Sequence, residues 1–152
     1  MKYKEIFLST TDTVPGLGAP MTKEGLAKLY ELKQRPLKKG IIILVSSIEQ
    51  ARVLSDWTDQ AEEIAKAKWP GATTIVISKN QAVRMPNQKG LLELIEKKGP
   101  IFMTSANISG KPSLSFEEAK KEFPNLGNYY NFGEGSGKPS TIIRSNDGKV
   151  LR

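Results

Sequence analysis

The sequence predicts an α/β fold, a single domain in which short strands alternate with helices over residues 1–152. Three observations predict it. Apolar, β-branched runs of strand length recur along the 152 residues, which suits one hydrophobic core. The stretches between them carry apolar residues at helical spacing behind capping residues. No internal repeat, low-complexity tract or linker-like Pro/Gly/Ser stretch interrupts the alternation.

In chain order, strands are expected at Glu5–Ser9, Ile41–Ser46, Thr73–Ser78, Ile101–Met103, Tyr129–Phe132 and Thr141–Arg144, each short and rich in residues that suit a pleated surface. Arg84 lies in a further extended segment, Ala82 to Pro86. Thr22 can cap a helix whose Leu26, Leu29 and Tyr30 share one face and which ends before Pro36. A second helix runs from about Thr58 to Lys68 through Ala61, Ile64 and Ala65, and Trp69-Pro70-Gly71 stops it. Further helices are expected at Leu91–Lys98 and Phe116–Phe123, where Ser115 and Glu118 form a capping box. Alternation of this kind implies a sheet covered by helices, with loops at strand ends supplying binding groups.

Composition removes several chemistries. The chain has no cysteine and no histidine, so thiol nucleophiles, disulfides, Cys/His zinc sites and a Ser-His-Asp triad are excluded. Carboxylates, lysine, hydroxyls, a metal ion or positioning must do any catalysis. The longest apolar run, Ile41 to Val45, is far below the roughly 20 residues that cross a bilayer. The N-terminus has no apolar stretch of signal-peptide length, and a cytoplasmic location is expected. The formal charge of +7 favours polyanions such as nucleotides or RNA, although spread lysines serve solubility equally well.

The glycine-rich segment Gly133 to Ser140 invites comparison with a phosphate-binding P-loop, and the spacing fails. That motif needs glycine where Phe132 stands and Ser or Thr where Pro139 stands. In Lys33-Gln34-Arg35-Pro36, Pro36 disfavours the α conformation at Arg35. If the helix has ended by Lys33, an ammonium and a guanidinium can converge on one anion; otherwise they form a solvated basic helix end. Thr104-Ser105-Ala106-Asn107 follows a strand, where α/β folds place ligand groups, or simply makes a turn. Thr11 and Thr13 can face one site, with Asp12 as a nearby carboxylate for metal or capping. They lead into Pro15-Gly16-Leu17-Gly18, read as a turn. Arg84 either meets a substrate carboxylate or sits in water at an edge strand. Ser140 and Thr141 open a strand as possible phosphate ligands or as plain strand residues.

Taken in order, these segments resemble the YrdC/TsaC family of threonylcarbamoyl-AMP synthases. STTDTVPGLG at Ser9–Gly18, ELKQRP, WPGATT, AVRMP, TSANISGKP, KPSTII and the terminal Leu151-Arg152 look like the family's PTDTVYGLG, KxRP, WPGPLT, VR-x-P, SAN-x-SG, ESTIVD and LR stretches. The resemblance implies a twisted, open mixed sheet with flanking helices and a concave binding face. It also implies formation of threonylcarbamoyl-AMP and pyrophosphate from L-threonine, bicarbonate and ATP, with Mg²⁺ accompanying the nucleotide. A partner enzyme would then pass the group to adenosine in tRNA, tRNA itself being a further candidate partner.

By the same resemblance Lys33 and Arg35 hold the ATP phosphates and stabilise charge on the leaving group. Ser105, Asn107, Thr74, Ser140 and Arg152 complete the nucleotide site, and Thr11 and Arg84 serve threonine and the reacting centre. Pro15 stands where the family usually has an aromatic residue, and Lys138-Pro139 replaces a glutamate-bearing approach to Ser140. The chain reads as a minimal member without an additional C-terminal domain. Two other readings stay open: a non-catalytic RNA-binding module, disfavoured by an aromatic content of 7%, and a related ATP-dependent carbamoyl or adenylyl transferase with another acceptor.

Overall fold

A computed structural model of the chain describes residues 2–34, 41–108 and 110–152. The described elements, in order, are β1 (Tyr3–Ser9), β2 (Gly16–Pro20), α1 (Lys23–Lys33), β3 (Ile42–Leu44), α2 (Ile48–Arg52), α3 (Asp59–Lys68), β4 (Thr73–Val76), β5 (Ala82–Arg84), α4 (Lys89–Lys98), β6 (Ile101–Ser105), α5 (Phe116–Glu122), β7 (Leu126–Tyr130) and β8 (Thr141–Arg144). The strands form one open sheet of order β7-β1-β2-β6-β3-β5-β4-β8. It is mixed: β1/β7, β3/β5 and β4/β8 run parallel, while β1/β2, β2/β6, β3/β6 and β4/β5 run antiparallel. The α/β class expected from the sequence is the one observed.

Alternation along the strands assigns the two faces. Ile6 and Leu8 of β1, Leu17 and Ala19 of β2 and Leu126 of β7 pack beneath Leu29 of α1 and Ala119 of α5. On the same face, Ile43, Ile75 and Val83 meet Ala51 of α2 and Ala61 and Ala65 of α3. The opposite face carries Phe7, Leu44, Ile101 and Met103, and among the described helices α4, through Leu91 and Ile95, covers them, with Phe132 packed beside it. Among the described residues, four helices therefore shield one face and one helix shields part of the other. The remainder of that second face, where Thr74, Arg84, Met103 and Ser105 point, is where the cavity described below lies.

The helix ends follow the local chemistry. Thr22, Thr58 and Ser115 each accept a hydrogen bond from a first-turn amide, and Ser115 with Glu118 completes the reciprocal capping box. Helix α1 ends at Lys33, with Gln34 in the left-handed conformation at φ 55°.

Two expectations need correction, and one helix was not foreseen. Pro15-Gly16-Leu17-Gly18 is no turn: Gly16–Pro20 is the internal strand β2. Its glycines are there because neighbours fill the space a side chain would need. A Cβ on Gly18 would lie 2.2 Å from Cζ of Phe7, and one on Gly16 would lie 2.5 Å from Sδ of Met103. The strand expected at Tyr129–Phe132 lies earlier, at Leu126–Tyr130, because the amide of Phe132 turns to Thr10 Oγ1 at 2.7 Å. Helix α2, capped by Ser47, is too short to show a period in the sequence. Among the described residues no helix is long and apolar enough to cross a membrane.

Candidate active site

Two adjoining cavities, of about 310 and 470 Å³, open on the less covered face and share Thr11, Thr13, Val14 and Ser113 as a common wall. Four groups of side chains build them.

The first is the segment that follows β1. Thr11 Oγ1 donates to the carbonyl of Val14 at 2.7 Å and accepts from the amide of Thr13 at 2.9 Å. The two threonine hydroxyls lie 3.1 Å apart, so a local side-chain turn holds both at the cavity wall. The glycine-rich loop lies directly on this segment. Ser136 N donates to Asp12 O and Gly137 N to Thr13 O, each at 2.9 Å. Gly135 sits so close that a Cβ would be 2.5 Å from the carbonyl oxygens of Thr11 and Thr13. The loop thus serves as a wall docked on the threonine turn, and it leads into a strand, unlike a P-loop, which opens a helix.

Arg84 is the second group. It belongs to β5, an interior strand between β3 and β4, and is 3% exposed, which removes the reading of an arginine in water at a sheet edge. Nη1 donates to Asp12 Oδ1 at 2.6 Å and to Gly71 O at 3.1 Å, and Nη2 donates to Thr13 Oγ1 at 3.1 Å. Nε is buried with no partner among the described residues. The other oxygen of Asp12 accepts the amide of Asn87 at 2.9 Å. Asp12 was open to a metal or capping role on sequence; here both its oxygens are engaged.

The third group joins Thr74, Ser140 and Arg152. The two hydroxyls are 2.7 Å apart, and Arg152 donates to Ser140 O at 2.9 Å and Ser140 Oγ at 3.2 Å. A turn after β8 delivers that arginine. Asp147 there accepts both a two-point contact from Arg144 and the amide of Lys149, and these hold its carboxyl down at about 2. The chain then returns along β8, with Leu151 N donating to Ile142 O at 2.7 Å.

The fourth group centres on Lys33. Its side chain is fully buried, and Nζ donates to Ser105 O at 2.6 Å, Asn107 Oδ1 at 2.9 Å and Ser105 Oγ at 3.3 Å. Ser105 Oγ donates to Asn107 Oδ1 at 2.7 Å, and Asn107 Nδ2 donates to Lys111 O at 2.6 Å. The end of α1 is thereby tied to the end of β6.

Of the nine residues singled out on sequence, Thr11, Thr74, Arg84, Ser105, Ser140 and Arg152 line the smaller cavity. Lys33 and Asn107 stand behind Ser105 and fix it. Arg35 lies outside the described residues. The larger cavity was missed. Its Ser113 to Glu117, Asn131 and Glu134 to Gly137 are ordinary turn and cap residues in sequence, and the only signal was the glycine spacing already set aside as a P-loop. The two spaces differ in charge. The smaller has two guanidiniums and no carboxylate among its lining residues, and the larger has Glu117 and Glu134 and no cation among its own. An anion is accommodated in the first and an uncharged or cationic group in the second.

The Sua5/YciO/YrdC family, described as telomere recombination, matches residues 1–152. A threonylcarbamoyl-AMP synthase from Pseudoalteromonas translucida is 34% identical over 97% of this chain and 90% of its own length. Another, from Pyrococcus abyssi, is 42% identical over 68% of this chain but only 35% of its own length. The crystal structure of P. abyssi Sua5 complexed with L-threonine superposes with a TM-score of 0.86 at 34% identity, covering 98% of this chain and 50% of that one. The chain therefore spans half or less of each Pyrococcus protein.

Proposed function

The chain belongs to the Sua5/YciO/YrdC family, and from that membership we propose that it is a threonylcarbamoyl-AMP synthase, with residues 1–152 acting as one domain. L-Threonine, bicarbonate and ATP give threonylcarbamoyl-AMP, pyrophosphate and water. The threonine amine takes up the bicarbonate carbon to form a carbamate with loss of water, and a carbamate oxygen attacks the α-phosphorus as pyrophosphate leaves. One observation carries the reading: Arg84 and Arg152 face a single cavity together with the hydroxyls of Thr11, Thr74, Ser105 and Ser140. Such a wall can hold a carboxylate and a phosphate chain at once.

In this reading Arg84 takes the threonine carboxylate, with Thr11 beside it. Ser105, Thr74, Ser140 and Arg152 take the phosphates. Lys33 contributes by holding Ser105 and Asn107 in place, and Arg35 is assigned to the phosphates directly. The carbamate needs no strong base, so positioning and charge neutralisation supply the rate. The nucleoside is assigned to the larger, carboxylate-lined cavity. Magnesium would arrive on the nucleotide. Among the described residues no three carboxylate, histidine or cysteine side chains cluster as a cage, and this ion takes most of its ligands from phosphates and water. The product is a mixed anhydride, so a second enzyme must transfer the group to its acceptor, here adenosine in tRNA, which places the reaction in the cytoplasm.

The test is pyrophosphate release from ATP, Mg²⁺, bicarbonate and a panel of amino acids. Release that depends on threonine supports the reading. Release driven by another amino acid, or none at all with all substrates present, refutes it.

A further inference from the structure

We propose that Asp12, which lines neither cavity, is a positioning residue that sets the orientation of Arg84 toward the substrate carboxylate; this rests on the role given to Arg84 above. A lysine or arginine beside an anion site usually has several rotamers, and each wrong one lowers the rate. Arg84 has no such freedom. Its Nη1 is held by Asp12 Oδ1 at 2.6 Å and Gly71 O at 3.1 Å, and its Nη2 by Thr13 Oγ1 at 3.1 Å. With the outer edge of the guanidinium engaged, its plane is fixed, and Nε is the buried nitrogen left without a partner among the described residues. A buried N–H without an acceptor is costly; Nε is closed off, and Nη2, which gives one N–H to Thr13, keeps its second for a ligand oxygen.

Asp12 is itself anchored. Its second oxygen accepts the Asn87 amide at 2.9 Å, and its carbonyl accepts the amide of Ser136 at 2.9 Å. One residue thus ties together the turn after β1, strand β5, the chain beyond it and the glycine-rich loop. The side chains of Arg84 and Asp12 are 4% and 14% exposed, so solvent screens the pair little. The pair also cancels charge. What remains to attract a substrate is a directed N–H, and this selects an oxygen by position more than by long-range attraction.

Four proteins test this: the wild type, Asp12→Asn, Arg84→Met and the double variant. Thermal melts, the ATP dissociation constant and threonine-dependent pyrophosphate release are measured on each. Loss of one charged hydrogen bond predicts that Asp12→Asn lowers kcat/KM for threonine about 10- to 100-fold, with ATP affinity changed less than about threefold. In the Arg84→Met background the same change has no further effect, because there is no guanidinium left to orient. Asp12→Glu, which keeps the charge, recovers part of the loss. If Asp12→Asn does not fold, the comparison of Arg84→Met with the double variant, in which the buried pair is gone, decides alone: equal kcat/KM supports the proposal and a further drop overturns it. Wild-type threonine kinetics in Asp12→Asn, or losses that multiply in the double variant, also overturn it. Wild-type threonine kinetics in Arg84→Met overturn it through its premise, the carboxylate role of Arg84, whereas failure in the Asp12 arm alone leaves that premise standing.

Discussion

Substituting alanine for Gly135 puts a methyl group in place of a hydrogen where there is no room for it. The new Cβ would stand 2.5 Å from the carbonyl oxygens of Thr11 and Thr13 and 2.7 Å from the carbonyl carbon of Asp12. Ordinary contacts of this kind need about 3.4 Å or more, and these neighbours are backbone, which cannot rotate aside. The loop must move outward by roughly 1 Å, and the bonds from Ser136 and Gly137 to Asp12 and Thr13, each 2.9 Å long, are lost or stretched. Two such bonds contribute about 1–3 kcal/mol in total. For a chain of this size each kcal/mol moves Tm by about 2–4 °C, so the melt falls by about 2–12 °C and the protein stays folded at 25 °C. Activity suffers more. The same loop walls the larger cavity, and a displacement of about 1 Å in a positioning element can cost about 100-fold in rate. A thermal melt and pyrophosphate release on one preparation of Gly135→Ala check both numbers. A variant with unchanged Tm and unchanged kcat/KM would refute the docking of this loop and its part in the site.

Other substitutions separate fold from site. Gly18→Ala drives a Cβ to within 2.2 Å of the Phe7 ring; overpacking of about 1–3 kcal/mol lowers Tm while threonine KM stays near wild type, as denaturation and steady-state kinetics will report. Thr74→Val deletes the 2.7 Å contact with Ser140 and weakens ATP binding about 5- to 10-fold, a loss near 1 kcal/mol, measured by titration calorimetry. Glu62, held at about 2 by hydrogen bonds from Arg52 and Trp57, and Asp147, held at about 2 by Arg144 and the Lys149 amide, have ordinary values of 4.5 and 3.8. Their depressed folded values mean that the unfolded chain binds these protons first. Their support is complete above pH 4.5, shrinks as pH falls toward 2, and Glu62→Gln with Asp147→Asn flattens that stretch of the stability curve in urea titrations at stepped pH.

Residues whose role is local were readable from sequence. The capping threonines and serine at positions 22, 58 and 115 act within one turn of their own helix, and the strands Thr73–Val76, Ile101–Ser105 and Thr141–Arg144 fall in short apolar runs visible in the sequence. Gly16 and Gly18 misled because their meaning depends on Phe7 and Met103, which only the pairing of strands distant in sequence brings opposite them. The site behaves likewise. Thr11, Arg84, Ser105 and Ser140 were found as polar groups in or beside strands, whereas Thr74 and Arg152 came only from the family resemblance. Their partnerships were not found. The pairing of Asp12 with Arg84 spans 72 residues and that of Lys33 with Asn107 spans 74, and no local pattern encodes a contact of that separation.

The measurement that bears most directly on the central claim is the identity of the nucleotide product. The chain is incubated with ATP, Mg²⁺, ¹³C-bicarbonate and L-threonine, quenched, and analysed by mass spectrometry. The account predicts an adenylate carrying both threonine and the heavy carbon, formed in step with pyrophosphate. An adenylate lacking the heavy carbon, or ATP left intact by a folded protein, would contradict it.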